Sequence, residues 1–323
     1  MEQRHVQQNS RARRRKSMQI RQTPTRCSPT QAMGLQLAPR NPTPLGVGNL
    51  NSFPLTNLFM FCLIGIGLKP GHLTLEAKQA LENCYQVFLD TYTSAYSEGS
   101  IEGLKEIIGK EIELLDRKGV EEGLHLVLKQ AKELGKDVAL LVFGNALSAT
   151  THVQLLLDAK KLGLKTRVVA GISVYNFLGS AGLDQYRFGR TCTVVSPKPG
   201  YEPDSFYDVI ESNFAKGMHT LCLLDIEAEK GKGRPVEVGS NGMMSVAEAL
   251  RVLQNIEKKR GKDVLKKATI VGLYALGSEK QAVKTGPLNV MLRSSFALFP
   301  QSLVIAAPLT EKEMESLEAF QNG

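Results

Sequence analysis

Residues 61–90, FCLIGIGLKPGHLTLEAKQALENCYQVFLD, decide the fold. Phe61–Ile66 is an apolar run of strand length, and Gln86–Asp90 is a second segment of strand length with the apolar centre Val87–Leu89. The segment between them, Thr74–Asn83, has the composition of a helix, and Thr74 is suited to be its N-cap. A buried strand, a helix and a second buried strand in this order predict two parallel strands of one sheet, covered by helices.

The alternation of strand and helix continues along the chain and predicts two α/β domains. Residues 58–170 are expected to form a mostly parallel, doubly wound sheet. Its other elements are predicted as strands Glu111–Leu115, Val138–Phe143 and Thr166–Ala170, and helices Val120–Leu134 and Thr150–Leu162. Residues 171–323 are expected to form a mixed sheet with helices. Its elements are predicted as strands Thr191–Val195, Thr220–Ile226, Thr269–Tyr274 and Leu303–Ala306, and helices Ser205–Lys216, Ser245–Lys259 and Glu311–Phe320. Gly231–Gly242 is predicted to be a mobile loop.

The net charge of +8 is concentrated at one end of the chain. Residues 1–57 carry nine basic side chains and one acidic side chain, whereas residues 58–323 carry 31 of each sign. A body with balanced charge lacks the excess of Lys and Arg that drives phosphate binding. We therefore expect no nucleic-acid binding by the folded body.

Residues 1–57 lack hydrophobic periodicity and are rich in Arg, Gln, Asn, Ser and Pro, so we predict a disordered basic extension. Three hypotheses compete for it. It could precede a natural start at Met60, it could be an Arg-rich organelle-targeting peptide, or it could be a basic tail centred on Arg11–Lys16. Met60 lies directly before the first predicted strand, which favours the first hypothesis and a cytoplasmic location.

The five cysteines are widely spaced and form no CxxC motif or Cys/His cluster; they are Cys27, Cys62, Cys84, Cys192 and Cys222. We interpret them as small core residues in a reducing compartment, with a redox or metal role as the alternative. The longest apolar run, Leu58–Leu68, is about half the roughly 18 to 20 residues that cross a bilayer. We expect a soluble protein that does not span a membrane.

Ligands of open parallel sheets bind beyond the carboxyl ends of the strands, so the residues that follow each strand are candidates for a site. Four such segments are rich in Gly and small polar residues. They are GIGLKPG at 65–71, GNALSATTH at 144–152, GISVYN at 171–176 and LGS at 276–278. Together they predict a small-molecule cleft between the two domains.

Each segment also has a purely structural interpretation. Pro70 stands where a GxGxxG fingerprint requires its third Gly, which weakens a nicotinamide interpretation. The Ser/Thr cluster at 148–151 could simply cap the next helix, and His152 suits a helix surface or a core better than catalysis. Asp90 could bind a ribose, although an acid that ends a strand usually lies in a solvated turn. The sequence contains no nucleophile elbow, P-loop or HExxH motif.

Five sequence blocks carry a family resemblance. They are LIGIGL at 63–68, TYTS at 91–94, ATTH at 149–152, YRFGRT at 186–191, and PDSFYDVIESN with GMHTLCLLDI within 203–226. Together they resemble the diphthine synthase family of the tetrapyrrole-methylase-like class. The resemblance covers nearly all of residues 60–320, and the block at 203–226 is the most specific part of it.

The resemblance implies a homodimeric methyltransferase that holds S-adenosylmethionine in the interdomain cleft. It implies N-methylation of the aminocarboxypropyl-histidine on elongation factor 2, giving diphthine. The implied cofactor contacts are Leu68, Asn145, Ser148, Ser173, Val174, Leu224, Leu276 and Gln301. No base is implied, and methyl transfer from a sulfonium requires mainly in-line placement of the donor and a deprotonated acceptor.

Several positions depart from the pattern that the resemblance implies. Asn145 stands where Asp is usual, Gln301 where His is usual and Leu276 where a small residue is usual, and residues 69–72 replace an acidic segment. An amide carries no charge to favour a cationic cofactor. A second hypothesis is therefore a catalytically weakened homologue that binds or regulates elongation factor 2. A related methylase with another small substrate is a third, which the block at 203–226 disfavours.

Overall fold

A computed structural model of the protein describes residues 59–226 and 242–321. All of them belong to one compact unit, Leu55–Gly323, and they form two five-stranded sheets. The predicted extension at 1–57 lies outside the described residues, as does nearly all of the predicted loop Gly231–Gly242.

The first sheet is parallel and doubly wound, as the sequence predicts. Its elements in chain order are β1 (Met60–Gly65), α1 (Leu75–Glu82), β2 (Gln86–Asp90), α2 (Ile101–Ile108), β3 (Glu113–Leu115), α3 (Leu124–Leu134), β4 (Val138–Val142), α4 (Val153–Lys161) and β5 (Lys165–Val169). The strand order is β3-β2-β4-β1-β5, with every pair parallel.

Both faces of this sheet are covered, which explains why its strands are apolar without alternation. Helices α1 and α2 contribute Ala77, Leu81 and Leu104 to the core on one face. Helices α3 and α4 contribute Leu128 and Ala159 to the core on the other face. The neighbouring strands β1 and β4 are thus followed by helices on opposite faces. Such a switch point opens a crevice at the carboxyl ends of the two strands.

The second sheet is mixed, also as predicted. Its elements are β6 (Cys192–Val194), α5 (Ser205–Ala215), β7 (Thr220–Leu224), α6 (Val246–Arg260), α7 (Val264–Lys267), β8 (Thr269–Tyr274), β9 (Ala282–Gly286), α8 (Leu288–Met291), β10 (Gln301–Ala306) and α9 (Glu311–Gln321). The strand order is β6-β7-β10-β8-β9. Strands β6 and β7 are parallel, and the other pairs are antiparallel.

Most predicted boundaries lie within two residues of the observed ones, apart from the starts of α3 and α4. The start predicted for α3 falls in a π-helical turn at Gly119–Gly123. Helix α4 begins at Val153, and its N-cap, His152, makes no capping hydrogen bond through its side chain. The expected Ser/Thr cap of α4 is therefore wrong. The hydroxyl of Thr150 instead donates to the carbonyl oxygen of Ala146 over 2.6 Å.

The cysteines in the described part of the chain behave as core residues. Cys62, Cys84, Cys192 and Cys222 are buried and form no disulfide. The core interpretation is thus confirmed for these four. No helix in residues 59–226 or 242–321 has the length and hydropathy that a bilayer crossing requires.

Candidate functional site

Three glycines bring the carboxyl ends of β1, β4 and β5 into backbone contact. A Cβ atom on Gly65 would lie 2.7 Å from both the oxygen of Gly144 and the nitrogen of Gly171. The peptide groups of Gly67 and Gly144 also exchange hydrogen bonds of 3.1 and 2.8 Å. Any side chain at Gly65 or Gly171 would force these turns apart. The turns predicted from their Gly content therefore meet at one place.

The loop after β1 is held by the loop after β2. The carbonyl oxygen of Leu68 accepts hydrogen bonds from the amide and the hydroxyl of Ser97, each of 2.8 Å. The amide of Leu68 donates to Nδ1 of His72 over 3.3 Å. Both the amide and the carbonyl oxygen of Leu68, an expected cofactor contact, are thus hydrogen-bonded.

The loop after β4 carries the next two expected contacts, Asn145 and Ser148. The Asn145 side-chain oxygen accepts the amide of Leu147 over 3.1 Å, and its main-chain oxygen accepts the amide of Ser148 over 3.0 Å. Ala149 follows with a φ of 57°, an unusual left-handed conformation for a residue with a side chain. The loop is a tight turn that presents Asn145 and Ser148 side by side.

Asp90 and His152 lie beneath these loops. Asp90, at the end of β2, is fully buried, and its carboxylate accepts the amides of Tyr92 and Thr93 and the Thr93 hydroxyl. Its Oδ2 atom is 3.0 Å from Nε2 of His152, which is also buried. The expected solvated turn at Asp90 is therefore wrong, because a partner distant in sequence buries it. Of the two placements expected for His152, a helix surface or a core, the structure shows the core.

The loop after β5 adds Ser173 and Val174. Ser173 is the N-cap of a short 3-10 turn, Val174–Phe177, and its amide donates to the side chain of Asn176 over 2.9 Å. The Ser173 side chain also faces the turn at Gly144, where an added Cβ would lie 3.7 Å away. Ser173 is therefore adjacent to the loop that carries Asn145.

A turn of the second sheet closes against these loops. Leu276 is buried in a cluster that also includes Leu68 and Val174. A Cβ on Gly277, whose φ is +83°, would lie within 3.3 Å of Leu68, His72 and Phe177. Ala275 has a φ of 44°, a strained conformation that concentrates at functional sites. Three expected contacts, from β1, β5 and β8, thus share one apolar cluster.

The side chains of Leu224 and Gln301, the other two expected contacts, point away from these loops. Both belong to the face of the second sheet that packs against α5 and α6. The Gln301 oxygen accepts the amide of Val246 over 2.8 Å, and its nitrogen donates to the carbonyl oxygens of Phe296 and Leu298. The side-chain oxygen and nitrogen of Gln301 thus both have protein partners, so only its main chain remains as a simple ligand contact.

Two polar residues near Leu68, Glu98 and His72, were not predicted as site residues from the sequence. Glu98 accepts the amide of Glu279 over 2.8 Å and lies 3.8 Å from the Lys69 amine. It therefore links the loops after β1 and β2 of the first sheet to the loop after β8 of the second sheet. Burial, and then the positive charge of Lys69, lower the pKa of His72. His72 is therefore neutral at pH 7. Because Nδ1 accepts the Leu68 amide, the proton of the neutral ring resides on Nε2, and the ring is a hydrogen-bond donor.

Sequence comparison shows the protein family to which the chain belongs. Residues 60–291 match the family model of the tetrapyrrole (corrin/porphyrin) methylases. The chain is 33% identical to a diphthine synthase of Methanococcus aeolicus, an alignment that covers 80% of this chain and 97% of the relative. It is 36% identical to a diphthine methyl ester synthase of Mus musculus, over 81% of this chain and 96% of the relative.

Structural comparison agrees. A solved diphthine synthase superposes with a TM-score of 0.68 at 28% sequence identity, and the match covers 81% of this chain and 96% of that one. The similarity therefore extends over both sheets and the loops between them.

Proposed function

Because the chain belongs to the tetrapyrrole methylase family, and within it to the diphthine synthases, it is a methyltransferase, and we propose that it uses S-adenosylmethionine to methylate elongation factor 2. The acceptor is the amino group of the aminocarboxypropyl-histidine, and the product is diphthine. The proposed substrate, a translation factor, implies a cytoplasmic protein.

One observation carries the proposal beyond the family relationship. The turns after β1, β4, β5 and β8 contact one another, and four different loops place expected donor contacts there. We infer that Leu68, Val174 and Leu276 bind the donor through apolar contact. We infer that Asn145, Ser148 and Ser173 supply polar contacts. Leu224 and Gln301 would contribute through their main chains.

The chemistry of this set fits a nucleoside with a sulfonium group. Polar groups of the loops suit polar ring atoms, and apolar side chains suit a purine and exclude water. S-adenosylmethionine supplies an electrophilic methyl group when bound. The protein then has to orient an amine toward that methyl group and keep the amine neutral.

The apolar cluster of Leu68, Val174 and Leu276 helps to keep the acceptor amine neutral. Burial disfavours the charged form of an amine, so contact with Leu68, Val174 and Leu276 lowers the pKa of an acceptor placed there. His72 does not act as the base in this arrangement, since its free ring nitrogen carries a proton. It can instead donate a hydrogen bond to an oxygen of a ligand. Orientation and desolvation thus account for the methyl transfer.

The test is methylation of elongation factor 2 that carries the aminocarboxypropyl-histidine. Mass spectrometry of the modified peptide should show added methyl groups that depend on the protein and on S-adenosylmethionine. The factor with an unmodified histidine is the control and should gain none. No methyl transfer at saturating donor would contradict the proposal, and factor binding without donor binding would favour the weakened homologue.

The same experiment identifies the methylated atom. The relatives carry two names, diphthine synthase and diphthine methyl ester synthase, so both an amine and a carboxylate are possible acceptors within the family. A methyl ester is hydrolysed by mild alkali, whereas methyl groups on nitrogen are not. We expect alkali-stable methyl groups. A product that loses every methyl group in alkali would contradict N-methylation.

A further inference from the structure

Residues 59–226 and 242–321 include two buried His–carboxylate pairs with opposite hydrogen-bonding patterns. His219 accepts the amide of Ala307 at Nδ1 over 3.1 Å, and its Nε2 lies 2.8 Å from Oε1 of Glu313. One nitrogen accepts and the other donates, which is the pattern of a neutral imidazole. Burial also lowers the pKa of His219, more than Glu313 raises it.

His152 has an acceptor on each side. Its Nδ1 atom lies 3.1 Å from the carbonyl oxygen of Ala146, and its Nε2 atom lies 3.0 Å from Oδ2 of Asp90. A carbonyl oxygen cannot donate, so Nδ1 must carry a proton. The Nε2–Oδ2 contact is poorly directed for a hydrogen bond. The bond to Ala146 therefore defines the orientation of the ring, with Nδ1 as its donor.

Asp90 holds the start of the loop after β2 with three hydrogen bonds. Its carboxylate accepts the amides of Tyr92 and Thr93 over 2.9 and 3.2 Å, and the Thr93 hydroxyl over 2.7 Å. The His152 ring packs against this buried carboxylate, with Nε2 at 3.0 Å from Oδ2.

Each member of the pair holds one loop of the candidate site. Asp90 fixes the start of the loop after β2, whose Ser97 donates twice, through its amide and its hydroxyl, to the carbonyl oxygen of Leu68. His152 and the Thr150 hydroxyl both donate to the carbonyl oxygen of Ala146, which lies between Asn145 and Ser148. The pair therefore connects the loop after β2 to the loop after β4.

We propose that His152 is a positioning residue, and that the hydrogen bond from its Nδ1 to the Ala146 carbonyl fixes loop 144–148 in the geometry that binds the methyl donor. This inference rests on the proposed function. It assigns to His152 a role through Asn145 and Ser148, without contact with the reacting atoms.

Two substitutions separate the two bonds of the ring. His152→Asn places an amide where Nδ1 was, so it can still donate to Ala146. His152→Gln reaches farther and can donate to Asp90, but it loses the bond to Ala146. Calorimetry with S-adenosylmethionine should show a loss of about tenfold or more in affinity for His152→Gln, and no more than about threefold for His152→Asn. Equal affinities for both variants would overturn the proposal.

His219 supplies the matched control. His219→Asn and His219→Gln disturb a buried pair whose hydrogen bonds include those to Ala307, Thr310 and Asp184, none of which is a proposed donor-binding residue. We expect both to lower the unfolding temperature and to leave donor affinity unchanged. A donor affinity that falls in proportion to unfolding temperature, in all four variants alike, would show that His152 is only a stability residue.

The protonation of each ring nitrogen can be measured on the unaltered protein. Nitrogen-15 NMR distinguishes a protonated ring nitrogen from an unprotonated one. We expect Nδ1 of His152 to carry a proton and Nδ1 of His219 to carry none. An unprotonated Nδ1 in His152 would overturn the proposal even if the variants failed to fold. If the wild-type protein did not bind the donor, the proposed function would fail, whereas donor binding that His152→Gln leaves intact would overturn only this inference.

Discussion

The carbonyl oxygen of Gly144 packs directly on the Cα atom of Gly171, so closely that a methyl group on Gly171 would overlap it. A second obstacle is the main chain of Gly65. These obstacles are backbone atoms at the ends of β1 and β4, which cannot rotate away as a side chain can. Gly171 does not have a positive φ, so the requirement for Gly arises from close approach alone.

Gly171→Ala is therefore expected to displace the turns that build the site. We expect a loss of about 1–3 kcal/mol or more in the free energy of unfolding, as for overpacking of a rigid site, together with weaker donor binding. Urea unfolding and calorimetry with S-adenosylmethionine measure the two effects.

Gly103→Ala is the matched control, because it lies in α2 and its added Cβ would meet only Ser100 Oγ, at 3.6 Å. This change should raise stability by about 0.5–1 kcal/mol and leave donor binding unchanged. A Gly171→Ala protein with wild-type stability and affinity would show that the three turns tolerate separation.

Asn145→Asp is expected to tighten binding of the cationic donor. The side-chain oxygen of Asn145 accepts the amide of Leu147, and an Asp oxygen can accept the same bond, so the turn should persist. The added negative charge would favour a sulfonium, and one improved charge-assisted contact corresponds to roughly tenfold in affinity. Calorimetry at low and high salt measures this gain, which salt should reduce.

Asn83→Asp tests whether any added charge has the same effect. Asn83 is the C-cap of α1, at the edge of the sheet opposite the carboxyl ends of the strands. It should leave donor affinity unchanged. Unchanged affinity in Asn145→Asp as well would remove the Asn145 side chain from the donor site.

The sequence predicts the parallel core more accurately than the peripheral elements. Strands β2 and β8 are predicted at their observed bounds, since both have an apolar centre of strand length. Helix α2 is not predicted although Ile101, Leu104 and Ile108 follow helical spacing, because it is only eight residues long and contains Gly103, a weak helix former. Strand β9 is not predicted because its residues are all half-buried and it pairs only with β8 along one edge.

The same contrast applies to the site. The rule that ligands bind after strand ends selects the loops at Gly65, Gly144, Gly171 and Leu276, and these loops do meet. The rule does not tell which face of the second sheet a side chain occupies, because both faces are covered. The orientation of Gln301 therefore could not be predicted. The burial of Asp90 depends on His152, a partner that only the fold brings near.

Glu313 should make stability depend on acid pH. Burial raises the pKa of its carboxyl, but hydrogen bonds from Thr310, His219 and the amide of Asp184 outweigh this and lower the pKa to about 2, from 4.5. A depressed folded-state pKa stabilises the fold above the unfolded value, and this contribution is lost as pH falls from 4.5 to about 2. The loss should amount to roughly 3 kcal/mol.

Glu313→Gln should remove this part of the pH dependence. It should also lower stability at pH 7 by a few kcal/mol, since Arg187 and His219 lose their charged partner in a buried place. Unfolding measured between pH 2 and pH 7 tests both effects. Glu133→Gln, at an exposed position in α3, should keep the wild-type profile; an unchanged profile in Glu313→Gln would refute this role for Glu313.

Gln301→Leu separates a structural role from a role in donor binding. The Gln301 side chain satisfies the first amide of α6, at Val246, and the carbonyl oxygens of Phe296 and Leu298. Leu fills a similar volume but leaves all three groups unpaired, at roughly 1–3 kcal/mol for each buried group. We therefore expect a loss of at least about 2 kcal/mol in unfolding free energy.

Donor affinity should change much less than stability in the Gln301→Leu protein, measured by calorimetry at a temperature where it is fully folded. The reason is that the side chain already has protein partners for both its oxygen and its nitrogen, and only its main chain is left for a ligand. Gln154→Leu, on the exposed face of α4, controls for the loss of an amide and should alter neither quantity. A Gln301→Leu protein of wild-type stability but sharply reduced affinity would place the Gln301 side chain in direct contact with the donor.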